Sequence, residues 1–170
     1  DDATKTMVNA LGGLKAIALS HPHFYTTMQD WAAEFNAPIY LPDSDRQWIM
    51  RDSPNIRLWE GETLNLKSDV TVIRLGGHFA GSSVLHWARD GGILLTGDTL
   101  QVTPGANAVS FMWSYPNMLP LPAATVSDMV HRLSGVTFAR LYGGFEGKDI
   151  ANNADSIVQH SSEIYINCLR

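Results

Sequence analysis

Three histidines and one aspartate, each placed where a strand-like run ends, constrain this chain more than any other feature. Residues 14–19, apolar apart from Lys15, run straight into Ser20-His21-Pro22-His23. Residues 70–75 are followed by Gly76-Gly77-His78-Phe79-Ala80-Gly81-Ser82, and Leu94-Leu95-Thr96 by Gly97-Asp98-Thr99. A divalent zinc or iron ion needs neutral nitrogen donors and an anionic oxygen held in a fixed, near-tetrahedral frame. Strand ends supply that rigidity and open onto solvent. His21, His23, His78 and Asp98 are therefore the candidate metal ligands.

Composition limits what such a site can belong to. At 170 residues the chain is read as a single domain, residues 1–170. Hydrophobic residues make up 45% and charged residues 17%, ordinary for a globular core and opposed to disorder. The net charge of −5, with no basic run, argues against nucleic acid as a partner. No apolar stretch approaches the roughly 20 residues of a membrane span, so no membrane partner is expected. A lone Cys168 leaves no internal disulfide, and a cytoplasmic location is expected. The chain opens on Asp1-Asp2 without Met or a signal peptide, which reads as a processed product or part of something longer.

Periodicity and punctuation predict helices over residues 3–11, 24–35, 43–50, 123–133 and 154–169. Strands are expected at 14–19, 39–41, 56–59, 63–66, 70–75, 83–88, 92–96 and 138–142. Glu60-Gly61-Glu62 reads as a hairpin-like break, and 83–88 with 92–96 as an antiparallel pair. Residues 102–122, with four prolines, read as a long irregular stretch whose Phe111, Trp113 and Tyr115 either line a pocket or pack onto the fold. Trp31, Trp48, Trp59 and Trp87 are expected in the core or on sheet faces. His86, His131 and His160 are assigned no site role. Strands and helices interleave throughout, which indicates a layered α/β architecture.

The order strand–HxH–helix, strand–GGHxxGS, hairpin–GDT and helix–strand–GG resembles the metallo-β-lactamase fold superfamily, the glyoxalase-II-like metal hydrolases. The resemblance runs from about Ala3 to the C-terminus. It implies an αββα sandwich with a metal site along one edge of its two sheets. It also implies that the sandwich is incomplete at the N-terminus, because the family's opening strands have no counterpart before Ala3. A homodimer that completes the unpaired sheet edge is then expected. Where the family's first motif reads HxHxDH, this chain has His21-Pro22-His23-Phe24-Tyr25-Thr26, and Phe145 stands at the position of the last metal histidine. The resemblance thus implies one ion, zinc with iron or manganese as alternatives, on His21, His23 and His78. Asp98 remains, and the second metal's private ligands are gone.

Zinc bound by imidazoles lowers the pKa of a water to about 7 and polarises a carbonyl oxygen. The expected activity is hydrolysis of a small carbonyl substrate, an ester, thioester, lactone or amide, by a metal-bound hydroxide at a mononuclear site. Asp98 holds the ion or orients the water, and Tyr25 offers a hydrogen bond to an oxyanion. Glu146 and Asp149, just past Phe145, are further candidate bases. The alternative is a catalytically inactive protein of the same fold that binds a ligand or partner, because the carboxylate and two histidines of the full motif are replaced.

Overall fold

The computed structural model describes residues 1–169. Helix α1 (Asp2–Ala10) is started by the Asp1 carboxylate, which accepts from the Thr4 amide at 2.8 Å. Strand β1 is only Ile17–Ala18, paired in parallel with strand β2 (Ile39–Pro42) through Ile17–Ile39 and Ala18–Tyr40. Only two residues of the expected strand at 14–19 pair, and the rest of that run is irregular. The expected helix at 24–35 is divided: Pro22–Phe24 form a 3-10 turn, and helix α2 (Met28–Phe35) starts four residues later than predicted. Residues Asp43–Trp48 also form 3-10 turns rather than an α-helix reaching Met50.

Glu60-Gly61-Glu62 does not close a hairpin. Strand β3 (Ile56–Trp59) pairs in parallel with β2, whereas strand β4 (Thr63–Lys67) pairs antiparallel with strand β5 (Val70–Arg74). Gly61, at φ +94°, turns the chain from one sheet into the other. Strand β6 (Ser83–Trp87) lies antiparallel to strand β7 (Ile93–Gly97), as expected from the sequence. The irregular stretch holds two small ribbons, β8 (Gln101–Val102) with β9 (Val109–Ser110) and β10 (Met112–Ser114) with β11 (Leu119–Pro120). Helix α3 (Ala123–Arg132), strand β12 (Arg140–Gly143), strand β13 (Asp149–Ile150) and helix α4 (Ala154–Cys168) complete the order.

The larger sheet has six strands in the order β13-β12-β7-β6-β5-β4, and the smaller has three, β1-β2-β3. Val126 and Met129 of α3, Leu133 just past its end, and Ala154 and Val158 of α4 pack on Ile73, Val84, Leu94 and Leu141 of the six-stranded sheet. Met28 and Ala32 of α2 pack on Ile39 and Leu41 of the three-stranded sheet. The result is helix, sheet, sheet, helix. The sheets meet where the Ser83 amide donates to the Ser20 carbonyl at 2.8 Å. Leu94 has no exposed surface, so Leu94→Ala is expected to cost about 2–5 kcal/mol in denaturant unfolding. Among the described residues, no helix is long and apolar enough to cross a membrane.

Candidate metal centre

The site is built from three connections. His21 lies three residues past the end of β1 and opens the turn Pro22–Phe24, which places His23 beside it. His78 lies in the connection between β5 and β6, and Asp98 directly follows β7. One ligand atom from each of His21, His23, His78 and Asp98 lies within 4.8 Å of every other. His23 Nδ1 is 3.4 Å from His78 Nε2, and His21 Nε2 is 3.5 Å from Asp98 Oδ2. Donors at about 2.0–2.1 Å from one tetrahedral ion would stand roughly 3.4 Å apart. The two separations match that edge.

Hydrogen bonds behind the rings set which nitrogen is free. His78 Nδ1 is 3.0 Å from the Trp113 carbonyl, which can only accept, so Nδ1 carries the proton and Nε2 a lone pair. His21 Nδ1 is engaged by Ser20 Oγ at 3.0 Å. His21 is 1% exposed, and its Nε2 is buried with no hydrogen-bond partner, as is Asp98 Oδ1. The 3.5 Å gap to Asp98 is too long for a normal hydrogen bond. An orphaned imidazole nitrogen facing a carboxylate and two further imidazoles is the donor set a divalent cation takes.

The protonation states agree. Burial first, then the neighbouring His21 ring, hold His23 and His78 below the ordinary 6.5. His21, with His78 and His23 behind it, holds the Asp98 carboxyl below its ordinary 3.8. These directions favour neutral His23 and His78 rings and an ionised Asp98 carboxylate, the forms that ligate.

Local geometry fixes this arrangement at Gly97. Its φ is +53°, and a Cβ there would stand 2.3 Å from Ser20 Oγ. Gly97→Ala is expected to cost about 1–3 kcal/mol in backbone strain alone and to displace Ser20 from His21, read by thermal melting and by the His21 ring signals in NMR.

Tyr25 is placed differently from the four candidate ligands. It is buried in the apolar cluster with Met28, Ala32, Ile39 and Leu41, and its hydroxyl has no hydrogen-bond partner. Burial, then Asp45, push its pKa up. Phe145 is exposed, and Gly144 lies against Asp98, where a Cβ would come 3.5 Å from Oδ1. Glu146 and Asp149 are exposed. Among the described residues the ligand group has four members.

Beside the centre lies a cleft of about 530 Å³ lined by His23 and His78 with Trp48, Phe79, Trp113 and Asn117 among others. The irregular stretch therefore divides: Phe111 is fully buried in the core, while Trp113 stands at the cleft, 59% exposed. Trp48, the last residue of its 3-10 segment, is exposed, unlike the expectation for it, whereas Trp87 stands in strand β6 with 37% of its surface open to solvent. His131 and His160 are exposed, and His86 Nε2 lies 3.0 Å from the Thr137 carbonyl. Tyr115, expected to line a pocket or pack onto the fold, is half-buried and has a role the sequence did not indicate: its hydroxyl donates to the Asp98 carbonyl at 2.9 Å. The residue missed in the sequence is Asp45, 1% exposed, whose Oδ1 accepts from the Gly81 amide at 2.8 Å.

Solved structures share this arrangement of layers. A B3 metallo-β-lactamase with an active-site glutamic acid matches with a TM-score of 0.60 and 14% identity over 95% of this chain and 71% of that one. A metallo-β-lactamase from Staphylococcus aureus subsp. aureus COL matches at 0.58 and 14%, over 99% of this chain and 56% of that one. The protein TTHA1623, in a di-iron-bound form, matches at 0.58 and 20%, over 87% of this chain and 78% of that one. The chain has the metallo-β-lactamase fold, with a four-residue group suited to a metal ion.

No family model matches the sequence. Among curated proteins the chain is similar to the uncharacterized protein YmaE of Bacillus subtilis (strain 168), 48% identical over 172 residues that cover 99% of this chain. The chain spans 62% of the length of that relative.

Proposed function

We propose that the chain is a hydrolase of small, uncharged carbonyl compounds, an ester, thioester, lactone or amide, that works with one zinc ion held by His21, His23, His78 and Asp98. The observation that carries this reading is the convergence of four ligand atoms within 4.8 Å around a buried, unpartnered His21 Nε2. When bound, the ion supplies an acidified water and a polarised carbonyl oxygen. The chain's own residues do the rest. The Trp113 carbonyl holds the His78 ring in the ligating tautomer, and the Tyr115 hydroxyl braces Asp98 through its carbonyl. None of the residues lining the cleft carries an Asp, Glu, Lys or Arg side chain, which favours a neutral substrate over an ionic one.

A second reading, a ligand-binding protein without turnover, is favoured by Tyr25. Its buried hydroxyl, with its pKa pushed up, offers no replacement for a carboxylate base.

Metal analysis of protein purified without chelator is expected to give one ion per chain. Two tightly held ions, or none with zinc in excess, overturn the mononuclear reading. A panel of esters, thioesters and lactones with added zinc separates hydrolase from binder. Turnover that is lost in His78→Ala supports the hydrolase, whereas equal background rates in both proteins support the binder.

A further inference from the structure

The β5–β6 connection presents His78 between two braces. Inside the connection, Ser82 Oγ accepts from the Phe79 amide at 2.8 Å, the Ser82 amide donates to the Phe79 carbonyl at 3.1 Å, and the Ser82 carbonyl accepts from the Leu75 and Gly76 amides at 2.9 Å. From outside, the Asp45 carboxylate takes the Gly81 amide. Asp45 stands in the 3-10 segment that follows β2, on the smaller sheet's side of the molecule, so this bond joins that sheet to the turn carrying His78. The fit is close: a Cβ on Gly81 would lie 2.6 Å from Asp45 Oδ2 and 2.8 Å from Pro42 Cβ. Asp45 Oδ2 is itself buried without a hydrogen-bond partner.

A buried carboxylate with one hydrogen bond is a costly way to brace a turn, and an uncharged side chain would burden the fold less. The charge has a use beside a cation. A divalent ion with Asp98 as its anionic ligand would keep one net positive charge, and Asp45, close enough to His21 for the two to interact electrostatically, would offset part of it.

We propose that Asp45 is a positioning residue of the metal centre, setting through the Gly81 amide the turn that presents His78 to His21 and His23. This inference rests on the metal-centre reading above. It leaves the chemistry to the ligands and assigns Asp45 no contact with substrate.

Wild type, Asp45→Ala, Asp45→Asn and Gly81→Ala separate the possibilities in two measurements. One is cobalt(II) titration followed by d–d absorption. The other is NMR of the histidine rings in metal-free protein. Asp45→Ala is expected to weaken cobalt binding by about tenfold or more, to shift the d–d bands and to move the His78 ring signals. Asp45→Asn keeps an acceptor for the Gly81 amide and is expected to return the ring signals and most of the band shape.

The proposal is overturned if folded Asp45→Ala binds cobalt within about twofold of wild type, with bands and His78 signals unchanged. Where Asp45→Ala does not fold, Gly81→Ala pushes on the same contact from the other side, and unmoved His78 signals in that variant also overturn it. If wild type takes up no cobalt, the metal-centre reading fails. The ring signals of the metal-free variants then still decide whether Asp45 positions His78.

Discussion

His21→Ala is expected to reduce affinity for a divalent ion by more than about 100-fold, beyond the 10–100-fold typical of losing a residue that only supports a ligand. The ring is 1% exposed and packs edge-on to His23, His78 and Phe24, with centroids 5.1, 4.9 and 4.7 Å away, so no neighbour can swing in to replace it. The same substitution removes the main group that holds the Asp98 carboxyl down, so that carboxyl is expected to titrate closer to 3.8. Isothermal titration with zinc measures the first effect, and carboxyl NMR of metal-free protein the second. Binding of one ion with wild-type affinity would remove His21 from the ligand set.

Acidification is expected to act twice. Each imidazole that must shed a proton to ligate costs about tenfold in apparent affinity per pH unit below its pKa. His23 and His78 titrate below 6.5, so that loss sets in at a lower pH than it would for ordinary histidines. The metal-free protein is affected from the other side. Unfolded chains take up protons on these rings near 6.5, where the folded chain resists, so the folded state loses stability as pH falls beneath 6.5. Asp98 adds to this further down, because its folded carboxyl stays ionised below 3.8 and its contribution disappears as pH drops through that range. Zinc titrations between pH 8 and 5, with urea melts of metal-free protein over the same range, check both. A stability that rises on acidification from pH 7 to 5 would contradict the assigned shifts.

The four converging side chains were legible as a candidate site because each stands next to glycine, serine or proline at the end of an apolar run, and that punctuation marks strand ends in sequence as well as in space. Layering was legible for a related reason, since alternating apolar segments must be buried between helices. Sheet membership was not. Residues 56–59 and 63–66 flank a glycine in the manner of a hairpin, yet β3 extends the sheet of β1 and β2 while β4 opens the other. Pairing energy depends on which edge is free, and one sequence does not state that. The supporting contacts escaped for a different reason. The Trp113 carbonyl belongs to the backbone, which leaves no residue-type signal, and Asp45 sits in a Pro-Asp-Ser-Asp segment that reads as ordinary helix capping.

His21 and His23 follow β1 of the three-stranded sheet, whereas His78 and Asp98 follow strands of the six-stranded one. A cation shared by all four would act as a rivet through the seam between the two halves of the sandwich. Stripping it with a chelator should then loosen the halves before either one melts, exposing the seam to limited proteolysis while each separate core keeps its amide protons from exchange.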